Sequence, residues 1–158
     1  MAIYLKIDGI NGNSLDESHT DWIEVQTWTW GATNMSNVGQ GGGAAAGTSD
    51  VQPITLTVTS AKSSVEMMHR CITGKHLGDI TLEATKTTGD KEDKWLKIEF
   101  KDALISGMQM GGDSSGYGID TVTIHYEEHK HEIFEQDKKG ILASAGVHTF
   151  NVGTRVAT

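Results

Sequence analysis

A long insertion of small residues between two strands constrains the fold of this chain more than any other stretch. Residues 22–57 read WIEVQTWTWGATNMSNVGQGGGAAAGTSDVQPITLT, so one strand ends near Gly31 and the next begins after Pro53. Loops longer than about 12–15 residues are uncommon in compact domains unless they are functional or disordered. We therefore expect an extended Gly-rich loop at about 31–52 that has a function of its own.

The rest of the chain has the pattern of an antiparallel β protein. Ile54, Leu56 and Val58 alternate with threonines, which is typical of a strand with one buried face. Comparable alternation recurs along the chain, and 19 Gly against 1 Pro in 158 residues indicate many turns. The sequence predicts one domain over residues 1–158, all-β with about seven or eight strands. We expect a small antiparallel β-barrel or sandwich, preferably a closed barrel, with a single flanking α-helix.

Two further strand predictions bear on the sites described below. Ile23 and Val25 have the opposite parity to Trp28 and Trp30. Side chains alternate strictly along a strand, so burying both pairs on one face needs a β-bulge near Gln26-Thr27; otherwise the tryptophans face a different surface. Farther along, the alternation that begins at residue 121 predicts one long strand running to Phe134.

The single helix is predicted within SAKSSVEMMHRCITGKH, residues 60–76. Its apolar stripe is expected from residues at helical spacing, which are Val65, Met67, Met68, Cys71 and Ile72. Ser60 or Ser63 is expected to cap its start, and Gly74 to end it. Cys71 is interpreted as a small core residue, because no feature near it indicates an activated thiol.

Charge and segment composition exclude several classes of partner. The net charge of −8 and the pI near 5.2 argue against nucleic acid, whose phosphates require a basic surface. No apolar run approaches the roughly 18 residues of a membrane span, so no membrane insertion is expected. The start, MAIYLKIDG, lacks the charged and apolar regions of a signal peptide. We expect synthesis in the cytoplasm, with any export using a route that needs no cleaved signal.

Sequence motifs for catalysis or cofactor binding are missing. The segment GQGGGAAAGTSD lacks the Lys-Ser/Thr of a phosphate-binding loop and precedes a strand rather than a helix. The scattered acidic residues form no recognisable catalytic pair, and no hydrolase or metalloprotease motif occurs. The sequence therefore predicts no enzyme activity and no cofactor.

Histidines near residue 130 are the weak candidates for a metal site. His129 and His131 fall on one face of a strand, about 6.6 Å apart along it, and His125 shares their parity. A zinc site needs a third or fourth ligand that the sequence does not identify. The alternative interpretation is a solvated strand face among charged residues, which are Glu127, Glu128, Lys130 and Glu132.

Several segments together resemble one bacterial family. They are IYLKIDGINGNS, HTDWIEVQTWTWG, GGGAAAG, TGKH, YGIDTVTIHYEEHKHEI and FEQDKKG, in this order along the chain. The chain resembles the Hcp family, the hemolysin-coregulated proteins that are tube subunits of type VI secretion systems. The resemblance implies a β-barrel subunit that forms hexameric rings, which stack into a hollow tube. It also implies a contractile sheath, a spike protein and small effectors in the lumen as partners, and secretion after assembly in the bacterial cytoplasm.

The Gly-rich loop is the best candidate for a contact between such rings, because small residues let two backbones approach closely. The candidate contact residues are Trp28, Trp30, Gly31, Gly39, Gly41, Gly42, Gly43 and Gly47. The alternative function is a monomeric β-sandwich that binds carbohydrate through a tryptophan platform, drawn from Trp22, Trp28, Trp30 and Trp95.

Overall fold

A computed structural model describes residues 1–35 and 49–158 and shows a β protein with one helix. In chain order the elements are β1 (Ala2–Ile7), β2 (Ile23–Thr29), β3 (Ala32–Asn34), β4 (Ser49–Val51), β5 (Ile54–Thr59), α1 (Lys62–Thr73), β6 (Gly78–Thr88), β7 (Lys91–Gly112), β8 (Gly118–His125), β9 (Glu128–Gln136), β10 (Leu142–Asn151) and β11 (Val156–Ala157). The prediction of an all-β fold with a single helix is confirmed, although there are more strands than expected.

The long strand β7 closes the barrel. The strands follow the order β7-β6-β1-β2-β5-β8, and β8 pairs back onto β7, all antiparallel. Residues 104–112 of β7 pair with β8, whereas residues 96–101 pair with β9. Strands β9, β10 and β11 therefore form an added sheet beside the barrel. The preferred prediction of a closed barrel is confirmed.

Alternating apolar residues fill the barrel. Fully buried side chains come from strands around its circumference and include Leu5, Ile54, Leu56, Val58, Leu82, Ile98, Phe100, Val122 and Ile124. Burying each such side chain contributes about 1.5–3 kcal/mol. The threonines that alternate with the core residues of β5 pair with threonines of β8 at Thr55–Thr123 and Thr57–Thr121, as expected for half-buried β-branched faces.

The predicted β-bulge in β2 is present. Val25 pairs with Val58, but the next paired residues are Thr27 and Thr57, so Gln26 is the extra residue. The bulge changes the parity of the strand, and Trp28 and Trp30 pack partly buried against the core that also contains Val25. The alternative, in which the tryptophans face a separate surface, is wrong.

The helix ends where the sequence predicts, at Gly74 with φ 65°, but its start and its stripe differ. Ala61 is the N-cap, so neither Ser60 nor Ser63 caps the helix. Ser60 Oγ instead donates a 2.5 Å hydrogen bond to the buried carboxylate of Asp120 on β8, and Ser64 Oγ donates to the same group. A carboxylate at a helix N-terminus is electrostatically favourable, and it fixes α1 against the barrel.

That attachment sets which face of α1 is buried. Ser63, Ser64 and Met67 face the barrel, whereas Val65 and Ile72 are 75% and 77% exposed. The predicted apolar stripe is therefore wrong at Val65 and Ile72, because the first turn is oriented by its serines rather than by its apolar residues. Cys71 is half-buried and packs against the core.

The predicted long strand over residues 121–134 is divided in two. β8 ends at His125 and β9 begins at Glu128, opposite a corner of β7 where Asp102 has φ 51°. At this corner the Glu127 backbone N–H donates to the Lys101 carbonyl at 3.0 Å. The break has a topological reason, because β8 must also pair with β5 in the barrel whereas β9 must pair with β10 outside it.

Candidate functional site

The Gly-rich insertion begins and ends in a two-stranded ribbon. β3 and β4 are paired antiparallel through Ala32–Val51, Thr33–Asp50 and Asn34–Ser49, and we call these two strands the arm ribbon. Both ends of the predicted loop at 31–52 are thus regular structure. The candidates Gly39, Gly41, Gly42, Gly43 and Gly47 lie outside the described residues.

A short chain of hydrogen bonds attaches the arm ribbon to the body of the protein. Trp30 Nε1 donates to Tyr126 Oη at 2.6 Å, and Tyr126 Oη donates to the Gln52 carbonyl at 2.9 Å. The Gln52 backbone N–H donates to the Gly31 carbonyl, also at 2.9 Å. Burial raises the pKa of Tyr126 to about 12, so its hydroxyl stays protonated and remains a donor. Arg155, just before β11, adds a 2.7 Å hydrogen bond to the Ser49 carbonyl.

Beneath the arm ribbon lies a cavity of about 470 Å³, which we call the histidine cavity. Its walls come from the base of the ribbon, from β9 and β10 and from the C-terminal strand. The lining residues are Trp30, Gly31, Ala32, Ser49, Val51, His129, His131, His148, Phe150 and Ala157. The predicted contact residues Trp30 and Gly31 thus line one cavity, whereas Trp28 lies within β2 opposite Leu56.

The floor of the histidine cavity holds three imidazoles. His131 on β9 pairs across the strands with His148 on β10, and His129 pairs with Phe150. The ring centroids lie 5.3 Å apart for His131–His148, 5.6 Å for His129–His148 and 6.1 Å for His129–His131. The Nδ1 atoms of His129 and His131 are buried and have no hydrogen-bond partner.

The interpretation of His129 and His131 as part of a solvated face is wrong. His129 is 4% exposed and His131 is half-buried, because the arm ribbon and Trp30 cover this side of the added sheet. His125 does not join them, since the break before β9 leaves it exposed and bonded to Ser106 Oγ at 2.7 Å. His148 was missed by the sequence reasoning, and only the register between β9 and β10 could have identified it.

Proximity of three imidazoles does not by itself make a metal centre. In residues 1–35 and 49–158, no group of three or more His, Cys, Asp and Glu side chains is arranged to hold a metal ion. The cluster is better described by its electrostatics. Burial lowers the pKa of His129 to about 4, aided by His148 and His131 and opposed by Glu128. Burial, followed by His148, also lowers the pKa of His131. Both rings are therefore neutral at pH 7.

A second buried histidine, His19, contacts Tyr4 of β1 and Glu83 of β6. Unlike the cavity histidines, it has polar partners on its ring nitrogens. His19 Nδ1 lies 2.6 Å from Asp16 Oδ1, and its Nε2 lies 2.9 Å from Glu83 Oε2. Each ring nitrogen of His19 therefore has a carboxylate oxygen within hydrogen-bond distance. The hydrogen bond from His19 is the main cause of a lowered pKa at Asp16. The ring also stacks on Tyr4 at 4.2 Å and contacts the edge of Trp22.

This His19 site fastens the loop between β1 and β2. The Gly12 backbone N–H donates to the Asp21 carbonyl at 2.7 Å, which draws the two sides of the loop together. A Cβ at Gly12 would lie 2.1 Å from the Trp22 carbonyl oxygen, so only glycine fits there. The sequence analysis found no catalytic pair among the acidic residues, and it missed the function of His19 as the partner of Asp16.

Two of the four tryptophans are unsuited to the stacking platform of the alternative hypothesis. All four are half-buried, and two contact other aromatic rings rather than an open surface. Trp30 packs edge-on against Phe100 and His129, and Trp22 packs against His19. A sugar-binding platform needs an accessible aromatic face, which neither of these two rings offers.

Comparison with known proteins gives a consistent result. A family model described as "Type VI secretion system effector, Hcp" matches residues 4–133. Protein hcp1 of Pseudomonas aeruginosa is 30% identical over 127 residues, which cover 80% of this chain and 78% of that protein. A solved structure described as a type six secretion system protein is 25% identical with a TM-score of 0.92, covering 99% of both chains. Hcp1 from Salmonella typhimurium is 24% identical with a TM-score of 0.79, covering 99% of this chain and 98% of its own.

Among the described residues, α1 is neither long enough nor apolar enough to cross a membrane.

Proposed function

This chain belongs to the Hcp family of type VI secretion proteins, and we propose that its copies close into hexameric rings that stack into a hollow tube. Family membership supports a tube subunit. The observation that carries the proposal for stacking is the arm ribbon, a regular two-stranded element whose strand β3 is exposed along its whole length. Exposed paired strands of this kind suit a contact with a second molecule.

Within the ring, we propose that the free edge of the added sheet contributes to the lateral contact. In the described residues, β11 covers only the end of β10, and residues 142–148 have no partner on that side. Ile141 and Val147 are 60% and 51% exposed beside this edge. An unpaired edge with apolar side chains favours association, and a head-to-tail interface that closes generates a ring.

Between rings, we propose that the insertion makes the contact while Trp28, Trp30 and Gly31 hold its base. Trp30 is fixed by its bond to Tyr126, and Gly31 by its bond to Gln52. The glycines at positions 39, 41, 42, 43 and 47 then allow close approach to the neighbouring ring. The contractile sheath, the spike protein and effectors in the lumen are the further partners of this proposal. The subunit is assembled in the bacterial cytoplasm and secreted without a cleaved signal peptide.

The test combines solution mass with electron microscopy of the purified protein. The wild type is expected to form hexamers and, at high concentration, stacked rings with a central hole in negative stain. Deleting Gly39 to Gly47 is expected to leave folded hexamers that stack poorly. A matched control replaces the same residues with a Gly-Ser segment of equal length, which separates the length of the insertion from its sequence.

Two results would contradict the proposal. A wild-type protein that stays monomeric at micromolar concentration excludes the ring. Tubes of normal length from the deletion variant exclude a stacking function for the insertion, whereas tubes from the Gly-Ser control but not from the deletion show that length is what matters.

A further inference from the structure

The histidine cavity places three titratable side chains directly under the element proposed to stack the rings. Its walls include Ser49 and Val51 of the arm ribbon, and its floor includes His129, His131 and His148. All three imidazole centroids lie within 6.1 Å of one another. A change of charge on the floor is therefore felt by the ribbon and by the neighbouring imidazoles together.

We propose that the histidine cavity makes the arm ribbon sensitive to protons, so that acidification charges the imidazoles, releases the ribbon and separates stacked rings. The inference rests on the proposed function of the insertion in stacking. It adds a regulation of that same site, in which assembly is stable at neutral pH and reversed by acid.

His129 also borders a second cavity of about 400 Å³, where the carboxylates of Asp79, Glu99 and Glu128 lie together with the ammonium groups of Lys101 and Lys130. The histidine cavity itself offers little compensation for positive charge. Glu128, next to His129 in the chain, is the one carboxylate that favours the charged form of His129, and no carboxylate lines the cavity among the described residues. Tyr126 stays neutral because its pKa is raised to about 12. The guanidinium of Arg155 adds a positive charge beside the ribbon, where it donates to the Ser49 carbonyl. The carboxylate of Asp50, also on the ribbon, is exposed to solvent.

Charging this floor is unfavourable for two reasons that act in the same direction. An ion in an apolar cavity loses hydration, and imidazolium groups this close repel one another. The lowered pKa values of His129 and His131 have these causes. His129 and His131 therefore become charged only in solution more acidic than an ordinary histidine requires.

The arm ribbon is the wall of the histidine cavity that opens first. Strand β9 is paired on one side with β7 and on the other with β10, so the floor is held by two ladders. The ribbon consists of three residue pairs and forms a sheet of its own. Its attachments are the bonds at Gln52 and the bond from Arg155 to Ser49. Elements with few contacts open before the barrel does, and opening admits water to hydrate the new charges.

The experiment uses the full-length protein labelled with 5-fluorotryptophan, whose resonances are assigned by single Trp→Phe replacements. Trp30 lies 4.6 Å from His129 and reports on the cavity, whereas Trp28 lies on β2 opposite Leu56 and serves as an internal control. Fluorine spectra and sedimentation are recorded between about pH 7.5 and about pH 3.5, a range that spans ordinary histidine titration and extends below the His129 pKa of about 4. The double variant His131→Phe/His148→Phe removes two of the three charges, and His125→Phe is the matched control outside the cavity.

In the wild type, the Trp30 resonance is expected to shift with a midpoint below pH 6.5, the ordinary histidine value, while the Trp28 resonance stays unchanged. Stacked rings are expected to decrease about tenfold over the same range, a change that 1.4 kcal/mol produces. The double variant should keep its stacks to a lower pH, and His125→Phe should behave as the wild type. If the double variant does not fold, His148→Phe alone should lower the pH at which stacks are lost by a smaller amount.

Three outcomes overturn the inference. The first is an equal midpoint in the wild type and the double variant, which would assign the acid effect to carboxylates. The second is a Trp30 resonance that does not titrate. The third is release of stacks without any change at Trp30. A wild type that forms no rings at pH 7.5 overturns the proposed function instead. In that case the Trp30 titration of the unassembled subunit still tests ribbon release.

Discussion

The two buried histidine sites of this protein use the same side chain in opposite ways. His19 lies between two carboxylates and has a partner on each ring nitrogen. His129 is buried to a similar degree, but its Nδ1 has no partner and its neighbours are aromatic rings and other imidazoles. The first site stabilises the fold through contacts with two carboxylates, and the second is stable only while it is neutral.

The difference shows that two equally buried histidines can have opposite polar surroundings. Desolvation disfavours the imidazolium of His129, and no hydrogen-bond partner at its Nδ1 offsets that cost. Hydrogen bonds to charged groups contribute about 1.5–3 kcal/mol each, whereas a buried polar group without a partner costs about 1–3 kcal/mol. His19 is therefore expected to matter most for stability at neutral pH, and the histidine cavity most in acid.

The largest effect is expected from His19→Ala. The substitution removes both charge-assisted hydrogen bonds and leaves the carboxylates of Asp16 and Glu83 facing each other, so the free energy of unfolding should fall by about 3–5 kcal/mol. Urea denaturation at pH 7 measures the change. His125→Ala, at an exposed histidine, is the control and should stay within about 0.5 kcal/mol of the wild type. Equal losses in the two variants would contradict the assignment.

A slightly smaller effect is expected from acid acting on the histidine cavity. The pKa of His129 falls from 6.5 to about 4 on folding, so between these values the unfolded state binds more protons than the folded state. Stability is unaffected above pH 6.5 and falls as the pH decreases towards 4, by about 3 kcal/mol in all for this group.

Comparing the pH dependence of His129→Phe with that of the wild type isolates this contribution. The variant should lose less stability than the wild type between pH 6.5 and 4, as measured by urea denaturation at each pH. Parallel curves would show that His129 does not titrate in this range.

An intermediate effect is expected where the arm ribbon is attached. Tyr126→Phe breaks the chain from Trp30 to the Gln52 carbonyl, and the loss of these hydrogen bonds should cost about 1–2 kcal/mol. Hydrogen exchange at the Gln52 amide should accelerate more than exchange in β9, because the ribbon opens before the added sheet. Uniform acceleration in both places would show that the ribbon is not a separate unit.

The smallest effect is expected at the rim of the His19 site. Lys94 Nζ lies 3.5 Å from Glu83 Oε1 and is partly exposed, so Lys94→Ala should change stability by only about 0.2–1 kcal/mol. A thermal or urea unfolding curve at low and high salt measures it. A loss as large as that of His19→Ala would mean that the lysine, rather than the histidine, neutralises Glu83.

The sequence was sufficient for much of the fold because alternation is a local property. The pattern in Ile54, Leu56 and Val58 predicts a strand whatever its partners are, and the parity change before Trp28 predicts the bulge at Gln26. Gly74 was identified as the helix end because a left-handed residue at that position favours glycine. Strand identity and local geometry were therefore accessible without a structure.

The sites were less predictable because they depend on contacts between distant segments. His148 joins His131 only through the register of β9 and β10, and the break at Tyr126–Glu127 separates His125 from the histidines that share its parity. His19 depends on Glu83, which is on β6. The orientation of α1 depends on Asp120, which is why Val65 and Ile72 were assigned to the wrong face.

The continuous strand β7 has a mechanical consequence for the tube subunit proposed above. One uninterrupted backbone is bonded to β8 along residues 104–112 and to β9 along residues 96–101. A force applied to the added sheet along its strands would therefore reach the barrel through covalent bonds. It would also shear a whole row of backbone hydrogen bonds at once rather than open them one after another. The protein can in this way transmit thrust between its two parts without separating them.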